Sequence, residues 1–255
     1  MNDIVIFGHN ENEEKLDDIS QLIKLLHGFI IISDDIISLK ENLEVESYDG
    51  ACYLFAKSIM NYIKAAYDNF VLGHFNEAYM IIRTVIENYV CFKIILEYKE
   101  KELWKYWIVH SEYISSKKFR HGISEYSREK ISILGAQFKL EVDFLSKGIE
   151  NNYGWLYKIK NESFSFRKVC NLLKKDHVDY YLDYAIACES THGTALNEKL
   201  DTYLFNEKMW AMLSVLVLYI QYLMETYYVE ELPFEYFEIK EMIYDYFDEK
   251  INFSV

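Results

Sequence analysis

Two separated segments carry the residue types best suited to chemistry: Arg83-Thr84-Val85-Ile86-Glu87 and Tyr184-Ala185-Ile186-Ala187-Cys188-Glu189-Ser190-Thr191-His192-Gly193. Each sets polar groups inside an apolar helical stretch, where they are costly unless they meet partners. At about 100° per residue, Arg83 and Glu87 fall within about 40° of each other, on a stripe with Asn76, Tyr79, Val90 and Ile94. The other faces of that helix carry Ile81, Ile82, Val85, Ile86, Tyr89 and Phe92. A helix so apolar is expected to be central, with Arg83 and Glu87 an at least partly buried ion pair that is expensive to break. In the second segment Tyr180, Tyr184, Cys188 and His192 recur every four residues and so share one helix face. Gly193 suits the left-handed residue that ends a helix, which places His192 at a carbonyl-rich terminus where the imidazolium is favoured. His192 is therefore expected to meet the Arg83/Glu87 helix across the core. Arg83, Glu87 and His192 form the candidate catalytic set: a general acid or base, a cation for phosphate charge, and a carboxylate to orient one of them.

Other chemistries find less support. Glu189-Ser190-Thr191-His192 has the Glu-x-x-His spacing of a carboxylate and an imidazole on one metal, but a di-iron site needs a second such motif, and His74-Phe75-Asn76-Glu77 runs in the reverse order. The four cysteines, Cys52, Cys91, Cys170 and Cys188, lie far apart without CxxC spacing, so no structural zinc is expected and all four read as buried thiols. No Gly-x-Ser-x-Gly elbow, Gly-Lys-Ser/Thr loop or Gly-x-Gly-x-x-Gly turn is present, so no cofactor is expected. A formal net charge of -14 repels phosphate backbones and argues against a broad nucleic-acid surface. Lys117-Lys118-Phe119-Arg120-His121 is the one local basic patch that could contact a phosphate, and a solvated loop is its more ordinary explanation.

The elements that must position these residues are helices. One proline and nine glycines leave few places where a turn is forced. Apolar spacing predicts helices at about 11–41 (with a candidate break at Ser33-Asp34-Asp35), 50–72, 75–99, 101–117, 125–150, 165–174, 177–191, 198–230 and 234–250. The fold expected is all-α, a bundle of about eight to nine helices around a buried hydrophobic core. Its divisions are an N-terminal helical segment (1–48), a helical core domain (49–232) and a C-terminal amphipathic acidic helix (233–255). The uncharged run Met209–Met224 is shorter than the roughly 20 residues that cross a bilayer, and so predicts a core helix and no membrane span. The stretches 118–124 and 151–165 read as loops. Trp104-Lys105-Tyr106-Trp107 and the aromatic run from Tyr227 to Phe237 read first as packing and second as a partner surface. Met1–Glu14 is acidic and lacks an export pattern, so a cytoplasmic location is expected. The expected partners are another copy of the chain or a second protein.

In the order Asn76-Glu77-Ala78, Arg83-x-x-x-Glu87-Asn88, Trp155, Tyr180-Tyr181-x-x-Tyr184 and Ser190-Thr191-His192-Gly193, the chain resembles an uncharacterised bacterial helical family, DUF5677, over roughly residues 50 to 225. The resemblance implies an all-α domain with an Arg, Glu and His cluster and no established reaction. A weaker resemblance is to the HEPN helical proteins, several of which are metal-independent ribonucleases of toxin and phage-defence systems. Their site is an Arg followed after four to six residues by a His. Here His192 has no arginine within ten residues on either side, and Arg120 adjoins His121. An equivalent site would have to draw Arg83 and His192 from different helices. Two functions follow from these resemblances: a helical interaction or sensor module, plausible in phage defence or stress response, and a HEPN-like ribonuclease.

Overall fold

The computed structural model describes residues 13–117, 125–176, 179–189 and 202–252. Within the ends of these stretches, side chains are described except at 13–19, 174–176, 189, 202–209 and 249–252. The described residues are all-α, with ten α-helices in chain order: α1 (Glu13–Ser38), α2 (Tyr48–Val71), α3 (Phe75–Glu97), α4 (Leu103–Lys117), α5 (Glu125–Gln137), α6 (Val142–Ser146), α7 (Phe166–Cys170), α8 (Tyr180–Glu189), α9 (Thr202–Tyr227) and α10 (Phe234–Asn252). Short 3-10 turns, among them Gly154–Lys158, join several of them. The described parts of Met1–Asn42, Ala56–Tyr89 and Asp183–Val255 make one compact unit, and those of Leu43–Phe55 and Val90–Leu182 a second.

The first unit is organised by its apolar stripes. α9 buries Met212, Leu213, Leu216, Val217, Tyr219, Ile220, Leu223 and Met224. Burying each such aliphatic side chain stabilises by roughly 2 kcal/mol relative to exposure. α1 buries Leu22, Leu26, Phe29, Ile30, Ile36 and Ile37 at helical spacing and packs on α9 and α10. Phe29 meets the buried Tyr236 of α10 with ring centroids 4.9 Å apart. α1 runs unbroken through Ser33-Asp34-Asp35, the candidate break within the span read from the sequence. Ser33 is fully buried on the core stripe, and α2 supplies two cations to Asp34: Lys57 Nζ donates to Oδ1 at 2.9 Å and Lys64 to Oδ2. Burial works against the Asp34 carboxylate, but the hydrogen bonds and charges of both lysines outweigh it and hold its pKa below the ordinary value. Just beyond the end of α2 stands Gly73, whose φ of 79° is cheap only for glycine, with Gly73 N–H on Phe70 O and His74 N–H on Asn69 O closing the last turn.

The second unit packs aromatic residues from successive helices. Trp104, Tyr106 and Trp107 of α4 lie against Phe138, Phe144 and Phe55 with centroids 5.4, 4.8 and 4.1 Å apart, which realises the packing role expected for them. The single helix expected over 125–150 is divided. Lys139 takes the left-handed conformation (φ 55°), Leu140 N–H reaches back to Gly135 O at 2.9 Å, and α6 begins after Glu141. The 151–165 stretch is ordered around the 3-10 turn Gly154–Lys158, which buries Trp155 and Leu156.

Candidate functional site

Within the first unit, α3 presents Arg83 and Glu87 one turn apart. Arg83 Nη2 lies 3.5 Å from Glu87 Oε1, a loose single contact rather than a two-pronged guanidinium–carboxylate clasp. Their side chains retain 37% and 29% of full exposure, so the pair is open to water on one side. Its apolar setting comes from Val85, Ile86 and Tyr89, all buried on the remaining faces of α3.

α8 supplies the partner. The guanidinium carbon of Arg83 stands 5.0 Å from the centroid of the Tyr184 ring, inside the range in which a cation is drawn to an aromatic face. Burial raises the pKa of the Tyr184 phenol, and its hydrogen bonds to Cys188 and Glu87, with the nearby Glu87 charge, push the same way. The phenol therefore stays protonated across the physiological range. Burial alone would lower the pKa of Arg83, but Tyr184, Cys188 and Glu87 raise it instead, so the cation is secure. Cys188, one turn beyond Tyr184, is half-buried beside the phenol.

A second bond fixes α8 in place. Tyr219 of α9, fully buried, donates its hydroxyl to Asp183 Oδ2 at 3.0 Å. Tyr219 is held edge-on by Tyr89 and Tyr222, at 5.4 and 5.7 Å. Because Asp183 immediately precedes Tyr184, this anchor helps to set the ring over Arg83.

Of the expected set, Arg83 and Glu87 are placed together and half-open, while His192 lies outside the described residues, as does its Glu189-x-x-His192 pairing. Tyr184 and Cys188, two of the three members of the four-residue series that precede His192, do meet the Arg83/Glu87 helix. Of the basic patch, Lys117 lies 4.9 Å over the Tyr113 ring, and 118–121 are outside the described residues. Among the described residues no group of three His, Cys, Asp or Glu side chains could hold a metal ion, and no helix is long and apolar enough to cross a membrane.

The anchor Asp183–Tyr219 joins residues 36 apart in sequence, and no local pattern signals it. His110 of α4, in the second unit, also escapes sequence reasoning. It is buried, and because only its nitrogen can donate to a carbonyl, Nε2–H donates to Asn151 O at 3.0 Å. Burial pulls its pKa down against the opposing effect of that hydrogen bond. Among the described residues its one hydrogen-bond partner is this backbone carbonyl, which marks it as a packed core histidine.

The sequence profile of a family of unknown function, DUF5677, matches residues 48–208, more than half of the chain. The chain belongs to the DUF5677 family. This span covers α3 with its Arg83/Glu87 pair and all of α8, so the cluster lies wholly inside the family region. Comparison with curated proteins and with solved structures gives no significant match.

Proposed function

We propose that this DUF5677 member is a helical sensor or interaction module in which Arg83, backed by Tyr184 and Glu87, recognises a small ligand bearing one anionic group. The observation that carries the proposal is a guanidinium fixed from below by an aromatic ring and a single loose carboxylate, with over a third of its side chain still open to solvent. Such a cation keeps N–H donors for a carboxylate or phosphate. A net charge of -14 favours a small anion over a polyanion. The setting we assign, phage defence or stress response in the cytoplasm, rests on the kinds of system in which such helical proteins occur, and its output would be a contact with another protein or another copy of the chain. The test is calorimetric titration with acetate, inorganic phosphate and a nucleoside monophosphate, for wild type and Arg83→Met. Binding of at least one anion by wild type, lost in a fully folded variant, is expected. No binding by wild type, or equal binding by both, would overturn the proposal.

One observation favours the alternative, a HEPN-like metal-independent ribonuclease. Tyr184 and Cys188 occupy the Arg83 side of α8, and His192 is the next member of their four-residue series. In that reading His192 is the general acid or base, Arg83 stabilises phosphate charge and Glu87 orients one of them. RNA cleavage by wild type that is lost in both His192→Ala and Arg83→Ala, with unchanged melting temperatures, would establish it. Absence of cleavage by wild type would remove it.

A further inference from the structure

α10 divides its residues sharply between an inner and an outer face. At about 100° per residue, Tyr236, Ile239, Ile243 and Tyr246 share one side. Tyr236, Ile243 and Tyr246 are buried, and Ile239 stands against the Gly28 position of α1. The opposite side holds Phe234, Phe237 and Met242, exposed to 72%, 37% and 50%, interleaved with exposed Glu235, Glu238, Glu241 and Asp245. Those four carboxylates make no ion pair among the described residues. Lys240, at the edge of this face, donates to Glu225 Oε1 of α9 at 2.7 Å while its Nζ stands 5.4 Å from the centroid of the Phe237 ring, and Glu225 in turn accepts from Gln221 at 3.0 Å. The outer face therefore offers apolar contact area interleaved with four carboxylates that have no ion pair among the described residues, and the neighbouring Lys240 is already committed to Glu225.

We propose that this outer face of α10 is a docking surface for a cationic amphipathic helix of a partner protein, one that sets leucine-like side chains among lysines or arginines. Two features select this occupant. Glu238 and Asp245 lie between Phe234 and Met242 on the helix surface, with Glu235 and Glu241 beside them, so a partner must bring positive charge beside its apolar anchors to avoid burying these carboxylates unpaired. A second copy of the chain meets the opposite condition, because two molecules of net charge -14 placed α10 to α10 would bring carboxylates together. The inner face stays packed on α1 when the outer face is covered, so docking requires no unfolding. None of the Arg83 cluster takes part, and the proposal stands whether or not that cluster binds an anion.

The experiment uses the full chain and three fluorescein-labelled helical peptides: one of leucine and lysine patterned amphipathically, the same with glutamate for lysine, and one with serine for leucine. Anisotropy titrations should show wild type binding the leucine/lysine peptide well above the other two, more weakly as salt is raised from about 0.05 M to about 0.5 M. Phe234→Ser, and separately the triple change Glu238→Gln, Glu241→Gln, Asp245→Asn, should each weaken binding about tenfold or more with unchanged far-ultraviolet dichroism. Because the triple change alters only exposed carboxylates, it keeps the test decisive if Phe234→Ser folds poorly. Absent binding by wild type, equal binding of the serine peptide, or affinity indifferent to the triple change would overturn the proposal. Self-association of wild type that Phe234→Ser abolishes would overturn it too, by assigning the face to a second copy.

Discussion

Tyr219 and Tyr236 permit a comparison in which the chemical change is identical and the expected sign differs. Both are fully buried in the first unit. The Tyr219 hydroxyl donates to the Asp183 carboxylate at 3.0 Å, whereas the Tyr236 hydroxyl has no partner among the described residues. Tyr219→Phe deletes a hydrogen bond to a charged group, which is worth about 1.5–3 kcal/mol. Asp183 is half-exposed and water can reach it, so the lower end applies and a loss of about 1.5 kcal/mol is expected. Tyr236→Phe deletes a buried hydroxyl that was left unsatisfied at a cost of about 1–3 kcal/mol, and should stabilise by about 1 kcal/mol. Urea unfolding at pH 7, with a shared slope for all three proteins, should then order them Tyr236→Phe, wild type, Tyr219→Phe, over a spread of about 2.5 kcal/mol. A similar loss of stability in both variants would refute the reasoning, because the sign would then follow ring packing and not the hydroxyl's partner.

Three further outcomes follow from the geometry. Gly154→Ala should destabilise by about 3 kcal/mol or more, because its Cβ would stand 1.9 Å from the carbonyl oxygen of Gly148 and neither backbone can give way; thermal unfolding reads this out. Asp34 has a lowered folded pKa, so its contribution is present above the unfolded value of about 3.9 and is lost as pH falls through the folded one. Asp34→Asn should therefore cost about 1 kcal/mol at pH 7 and nothing at the acid end of a stability–pH series. The pKa of His110 is also depressed, so wild-type stability should decline as pH drops below about 6.5. Replacing His110 with Gln should flatten that part of the profile, and an unchanged slope would exclude His110 as its source.

Helix positions were legible in the sequence because each long helix carries an apolar stripe that only a 3.6-residue period can bury. α3, α9 and α10 fall within a few residues of the spans read from that spacing. One candidate break did not occur and one turn was missed, for opposite reasons. Ser33-Asp34-Asp35 has the composition of a break, yet two lysines more than twenty residues away neutralise Asp34 and the helix runs on. Phe138-Lys139-Leu140 holds no Gly or Pro, yet the chain turns there through a left-handed lysine. Such a conformation costs about 1 kcal/mol or more, and the packing of Phe138 on Trp104 accompanies it. At the site, the four-residue series through Tyr184 and Cys188 announced the correct face of α8. That Tyr184 would meet the cation could not be read from spacing, because it depends on how α8 docks beside α3, and the Asp183–Tyr219 bond that ties α8 to α9 joins distant parts of the chain.

The most direct test of an open, ligand-directed Arg83 is the unfolding free energy of Arg83→Met against wild type in urea. A cation one-third exposed with one loose carboxylate contributes less than about 1 kcal/mol, and the methionine keeps its apolar stem against Tyr184, so near-equal stability is predicted. A loss of about 3 kcal/mol or more, as when one partner of a buried ion pair is removed, would contradict the account and make the cluster a structural element of the core.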